Sequence, residues 1–324
     1  MSMTAFFRTA PLRRLTKPLA ALALAGLFAG PALAREPVAP APAAPVAAPV
    51  AAPAPAPQVV HPALWKVADA DTTIYLFGTV HVLKPGYDWL NGPLKQALDG
   101  SDELVTEVLD PVGGEAQAAL LSRATLPEGQ TLRGLMDAPQ RTAFEALLGR
   151  VGIPAPAFDQ FKPWYAAVVL SSLPMISQGL SPKDGAEATL NAYPGGKART
   201  RAGLETIDYQ LGLFDTLPPD AQLAYLGNVV RDYDKIGPEI DSLIVAWGKG
   251  DAEALATIMN ADMDDPRLTE TLLVGRNRHW AQWIKARLDK PGTVFVAVGA
   301  GHLAGKGSVQ EQLAALGLAT QQVQ

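Results

Sequence analysis

An α/β fold with a mostly parallel sheet, built from two related strand-turn-helix halves around a large helical middle segment, is what the sequence predicts. Three observations predict it. Residues 72–77 and 293–298 are β-rich apolar runs near opposite ends of the chain. Each run leads into a glycine-histidine turn, Gly78-Thr79-Val80-His81 and Gly299-Ala300-Gly301-His302. Each turn is followed by a helical pattern, and strands alternating with helices imply parallel pairing.

The elements follow in order. Residues 63–67 and 72–77, separated by Asp69-Ala70-Asp71, predict a β-hairpin whose second strand runs into Gly78. A helix is expected over 90–98 and a buried strand over 103–109. The C-terminal end repeats the order, with an amphipathic stretch at 276–288, the strand at 293–298, the second turn, and a helix over 309–316. Between the halves, residues 115–274 are mostly helical in pattern, as in 163–180 and 221–235, and cover the site. One extended segment interrupts them, 198–204, ending at Glu205. Ligands of parallel sheets collect at the carboxyl ends of strands, which is where both histidines and Glu205 fall.

The 324 residues and 48% hydrophobic content allow one large domain or two small ones with a real core. Residues 1–34 read as a signal peptide: Arg8, Arg13, Arg14 and Lys17 precede an apolar run over 19–28 and the small-residue motif Ala32-Leu33-Ala34. The mature chain is expected to begin at Arg35, and the protein to be periplasmic or secreted, touching a membrane only through this leader. Residues 35–57 are a linker of mainly Ala, Pro and Val, a composition that cannot bury a core. The α/β domain is expected over 58–324.

With no cysteine, the chain has neither a disulfide nor a thiol ligand, so any metal must be held by His, Asp or Glu. Loss of the four leader cations takes the formal charge from −5 to −9, which argues against nucleic acid as a partner. Gly299 to Ser308 lacks the spacing of a phosphate loop, and no G-x-S-x-G serine elbow occurs. Residues 260–270 are acidic, but Asp265 stands where a calcium loop needs glycine.

Four histidines occur, at 61, 81, 279 and 302. His61 borders the linker and His279 lies in a basic helical segment, so both are expected at the surface. His81 and His302 share one local context. The glycines Gly78, Gly299 and Gly301 let the backbone leave the strand sharply and leave space beside each imidazole. Glu107 lies in a run apolar enough to be a central strand, where a carboxylate needs a cation, a metal or donors. It is a candidate ligand or base, or else half of a buried salt bridge with Arg276. Glu103 is expected to be solvated. Two imidazoles and a carboxylate suit a divalent Zn, Mn, Fe or Co that activates water, with Glu205 or Glu187 moving the proton. Arg276 is a candidate clamp for a substrate carboxylate or an oxyanion.

Several ordered segments carry a resemblance. They are Leu76-Phe77-Gly78-Thr79-Val80-His81-Val82, Glu103 to Val108, Gly203-Leu204-Glu205-Thr206 with Gln210-Leu211, Arg276-Asn277 with Trp280, and Val298 to Gly305. Together they resemble the TraB/GumN family, whose wider group includes the Tiki metalloproteases, over about residues 64–317. The resemblance implies the same triad, since the family's two GxxH motifs and intervening glutamate fall on His81, His302 and Glu107. It also implies a metal-dependent peptidase-like activity, although more distant relatives include erythromycin-esterase-like hydrolases and a haem-binding protein.

The expectation is therefore an exported hydrolase of peptide or amide bonds in a peptide or small-molecule substrate, with a divalent metal at His81, Glu107 and His302. Glu107, Glu205 and Arg276 are its expected catalytic groups. The alternatives are a metal-free, esterase-like hydrolase with a histidine base, a haem- or ligand-binding protein without catalysis, and a non-catalytic partner-binding module.

Overall fold

The computed structural model describes residues 57–109, 115–196, 200–260 and 265–324. The expected leader and all but the last residue of the expected linker lie outside the described residues. The strands are β1 (Gln58–Val59), β2 (Leu64–Ala68), β3 (Thr72–Thr79), β4 (Tyr87–Asp88), β5 (Glu103–Val108), β6 (Thr200–Glu205), β7 (Gly292–Gly299) and β8 (Gln321–Gln322). Six of them form one sheet in the order β6-β5-β7-β3-β2-β8, while β1 and β4 pair separately.

The four strands β6, β5, β7 and β3 are parallel. The hairpin partner β2 and the terminal β8 add an antiparallel edge. The hairpin turn is fixed by Asp69, whose carboxylate accepts from the backbone N–H groups of Asp71 and Thr72 at 3.2 and 2.8 Å. The last long strand, β7, slots between β3 and β5, so the two glycine-histidine motifs end up on neighbouring strands. Its run from Val294 to Val298 is buried without a break, as a strand covered on both faces must be.

Alternation sorts the sheet into two faces. Ile74, Leu76, Val105, Val294, Val296 and Val298 pack with Trp280, Ile284 and Leu313 of helices Gly275–Leu288 and Val309–Ala315. Phe77, Leu104, Phe295 and Ala297 face the helical middle segment. Its largest member, Pro219–Gly248, extends well past the 221–235 expected from the pattern. Gly237-Pro238 obscures the periodicity there, but buried Ile236, Ile240, Leu243 and Trp247 keep one helical stripe against the core. Among the described residues no helix is long and apolar enough to cross a membrane.

That helix is anchored at the first motif. Trp247 Nε1 donates to the Gly78 carbonyl at 2.7 Å, and its ring closes an aromatic cluster with Trp89 and Phe77. Trp247→Phe keeps an aromatic ring there but strips the buried carbonyl of its donor, so urea unfolding should show a loss of about 1–3 kcal/mol.

Candidate functional site

The register of β3 against β7 sets Gly78 opposite Val298 and Thr79 opposite Gly299, so both motifs leave the sheet at the same edge. Neither motif needs a left-handed backbone, since Gly78, Gly299 and Gly301 all lie outside the positive-φ set. They are glycines for room. A Cβ on Gly78 would stand 3.0 Å from Ala300 Cα, and one on Gly301 would fall 2.2 Å from Met259 Cε. Gly299 is different. Its Cβ would enter a space bounded by Glu107 Oε1 at 3.2 Å, His302 Cδ2 at 3.6 Å and His81 Nε2 at 3.8 Å. The glycine thus leaves open the point where the three expected site residues approach one another.

Glu107 reaches that point by strand periodicity. Glu103, Val105 and Glu107 share the face covered by helix Gly275–Leu288, which meets them with Arg287, the Trp280 cluster and Arg276. Glu103, expected to be solvated, is instead paired with Arg287 at 3.1 Å and only partly exposed. Glu107 itself is buried. Its Oε1 accepts from the Gly299 N–H at 2.7 Å, and its Oε2 accepts from Arg276 Nη2 at 2.7 Å and Gln210 Nε2 at 2.9 Å. Burial works to raise its pKa, but the Arg276 charge first, then the two neighbouring histidines and the Gly299 N–H, hold the carboxyl far below the usual range.

Arg276 is buried and all five of its N–H groups are engaged. Nε donates to Glu205 Oε1 at 2.9 Å, Nη2 to Glu107 Oε2 at 2.7 Å and Glu205 Oε2 at 2.8 Å, and Nη1 to the Leu272 carbonyl at 3.2 Å. The remaining Nη1 hydrogen points at His302 Nε2, 3.0 Å away. The guanidinium also lies 4.8 Å over the Trp280 ring, whose Nε1 donates to Glu205 at 3.0 Å. Gln210 bridges the two carboxylates, donating to Glu205 Oε2 at 3.0 Å as well as to Glu107. A single turn of π-helix, Glu270–Val274, precedes Arg276 and sets its approach to the sheet.

The tautomer of His302 follows from its neighbours. Arginine offers no acceptor, so Nε2 carries the lone pair, and the Nδ1 hydrogen donates to Asn277 Oδ1 at 2.5 Å. Asn277 is oriented in turn by its donation to the Gly307 carbonyl at 2.8 Å. Burial and the Arg276 charge push the His302 pKa down to about 3, against the pull of Glu107. It is a neutral imidazole.

His81 has the same motif and the opposite state. Its Nδ1 lies 2.9 Å from Glu187 Oε1, and its side chain is 16% exposed against 7% for His302, so His81 is the reachable one. Burial opposes its charge, but Glu187 and then Glu107 override this and raise its pKa to about 9. Glu187 is correspondingly held low by His81 despite its own burial. Glu187 Oε2 and the Thr79 hydroxyl are both buried without a well-formed hydrogen bond, although the hydroxyl helps hold the carboxyl low. The pair depends on Gly185, whose Cβ would fall 2.2 Å from the His81 carbonyl oxygen, and on the Ala186 N–H, which donates to the Val80 carbonyl at 2.9 Å.

His81, Glu107, His302, Glu205 and Arg276 are thus brought together, with Glu187 as a sixth member; His61 and His279 are exposed, as expected. Gln210 and Asn277 were visible only as parts of longer segments, and Gly185 gave no signal at all. The arrangement does not fit the divalent metal expected at His81, Glu107 and His302. The His302 lone pair and Glu107 Oε2 are both taken by Arg276. Among the described residues no group of three or more His, Asp or Glu is disposed to hold an ion.

Arg276→Met should cost about 3–5 kcal/mol, because it leaves two buried carboxylates without their cation; the urea midpoint measures this. Stability should also peak near pH 6.5. The raised pKa of His81 contributes stability that is complete below about 6.5 and lost as pH climbs through about 9. The lowered pKa of His302 contributes stability that is complete above about 6.5 and lost as pH falls toward about 3. In His81→Ala the alkaline decline should flatten while the acid limb stays.

Neither a curated protein nor a solved structure matches the chain. The TraB/PrgY/gumN family model does, over residues 63–322, a span that contains both glycine-histidine motifs, Glu107, Glu205 and Arg276. The chain belongs to the TraB/PrgY/gumN family.

Proposed function

We propose that the protein is a hydrolase of peptide, amide or ester bonds that acts outside the cytoplasm, with His81 as its acid-base group. The observation that carries this reading is the His81–Glu187 pair, whose Nε2 borders the space above Gly299. A carboxylate on Nδ1 and a reachable Nε2 are the arrangement of a general base and its orienting group. The deprotonated Nε2 takes a proton from water beside Gly299, Glu187 stabilises the imidazolium that forms, and His81 returns the proton to the leaving group. Two carboxylates, Glu107 and Glu205, face the Arg276 guanidinium, and a third, Glu187, faces His81, whose proton supplies the second positive charge of the cluster.

Arg276 and Glu205 act in this reading through the geometry of Glu107 and His302, because the guanidinium has no N–H left over for a substrate. The substrate is a peptide or small molecule. The basic leader and small-residue motif over 1–34 support export.

Activity on a panel of peptide, anilide and ester substrates tests this. The active form is the deprotonated one, so kcat/KM should rise about tenfold per pH unit and level off near pH 9. His81→Ala should lower kcat by at least about 100-fold, and Glu187→Gln should move the midpoint of the rise downward. Gly299→Ala separates site from fold. Its Cβ would stand 3.2 Å from Glu107 Oε1, which must give by a few tenths of an ångström, so the variant should fold with a small loss of thermal midpoint and lose its activity. A pH profile unmoved by Glu187→Gln, or an active Gly299→Ala enzyme, would overturn the assignment.

A further inference from the structure

We propose that the outer edge of β6 is a docking strand for an extended peptide, which adds to the sheet there and is led along it to the site. The strand runs from Thr200 to Glu205 and pairs on one side alone, in parallel with β5. It ends the sheet, and among the described residues no other strand lies against it. Alternate residues of a strand turn their N–H and C=O groups to the same side, so every second residue of β6 presents both away from β5. Gly203 shows that this main chain is open, because it is exposed and a glycine has only backbone to expose. Thr200 and Arg201 are exposed as well. Such edges are ordinarily blunted by proline, lysine or a bulge. β6 contains neither proline nor lysine, and its register against β5 holds from Glu103–Thr200 to Val108–Glu205 without a bulge.

Continuity with the site favours a peptide as the occupant. β6 ends at Glu205, whose carboxylate is bonded to Arg276, so a chain running along the edge arrives at the end of the sheet where His81 and Gly299 lie. An added strand stands three strand spacings from β7, about 14 Å, which an extended chain crosses in about four residues. The bond presented over Gly299 therefore lies about four residues beyond the paired segment. The two faces of β6 specify the side chains. On one, Ala202 and Leu204 carry the apolar surface under helix Gly275–Leu288 out to the edge. On the other, Arg201 lines a cavity of about 410 Å3 with Leu104, Leu190 and Tyr193. Its guanidinium donates to Asn191 Oδ1 and the Leu190 carbonyl, both at 3.3 Å, and meets no carboxylate among the described residues. A strand with apolar side chains on one face and a carboxylate on the other complements this edge, with main-chain bonds supplying affinity and the two faces supplying selectivity. Docking stands apart from hydrolysis; that the docked peptide is also the substrate rests on the function proposed above.

The test follows the fluorescence anisotropy of a fluorescein-labelled peptide of about ten residues, valine alternating with glutamate, on the full chain of His81→Ala, which binds without turnover. Two further peptides, N-methylated at every valine or at every glutamate, keep the side chains and lose alternate N–H donors. The parent peptide should bind saturably with a Kd below about 100 μM, and one methylated peptide should bind at least about tenfold more weakly while the other keeps its affinity. Arg201→Glu should weaken the parent at least about tenfold and leave a peptide with threonine in place of glutamate unchanged. No saturable binding up to about 1 mM, or equal losses from both methylated peptides, would overturn the proposal. So would a native dimer in sedimentation that Arg201→Glu dissociates, since a second copy then holds the edge. Binding by His81→Ala without cleavage of the same peptide by the native protein supports docking and removes hydrolysis alone.

Discussion

The buried guanidinium of Arg276 fixes the organisation of the rest. It enters the carboxyl edge of the sheet from helix Gly275–Leu288 and joins groups from three strands' ends: Glu107 of β5, Glu205 of β6 and His302 just past β7. A charge in that position is tolerable only when every N–H is matched, and here each of the five is. The same requirement runs the other way, because neither carboxylate could be buried without it. Helix, sheet edge and second motif are therefore mutually dependent, and the site is as much a part of the core's packing as of any chemistry.

Sheet order supplies the second constraint. The chain places β7, its last long strand, between β3 and β5, so motifs more than 200 residues apart in sequence become neighbours. A parallel pair with β7 covered on both faces leaves the strand ends as the one edge where polar groups can gather. The helical middle segment then closes over that edge. Trp247 takes the Gly78 carbonyl, and the helix Ala186–Ala192 brings Glu187 to His81 through contacts with the Val80–His81 backbone.

Strand content was legible because it obeys local rules. β3, β5 and β7 are apolar runs of the right length, and their periodicity alone puts Glu107 on the buried helix-facing side with Val105. The helix Pro219–Gly248 was under-read because glycine and proline in mid-helix break the local pattern, while the tertiary stripe of Ile236, Ile240, Leu243 and Trp247 overrides it. In the site, the two histidines and Glu107 were legible from residue type in an unsuitable setting. Their partners were not. Nothing local says that Arg276 would bond the histidine as well as both carboxylates, or that Gly185 is glycine because the His81 carbonyl lies where its Cβ would be. Those are facts of long-range juxtaposition. The metal expected at His81, Glu107 and His302 was read from three ligand-type residues alone, without sight of the arginine that bonds two of them.

The duplicated motif did not produce a duplicated role. Each histidine stands three residues after its strand-end glycine, yet one is held neutral and the other charged. The difference lies in what each strand end faces. Beyond β7, the imidazole is enclosed between Trp280, Asn277 and an arginine, surroundings that penalise a second positive charge and fix one tautomer. Beyond β3, the imidazole is met by a carboxylate on Nδ1 and keeps Nε2 beside the space over Gly299. Similar turns thus supply one histidine suited to accept a hydrogen bond from a fixed cation and one suited to exchange a proton. Gly299, set between them, keeps the space in which such an exchange has room to occur.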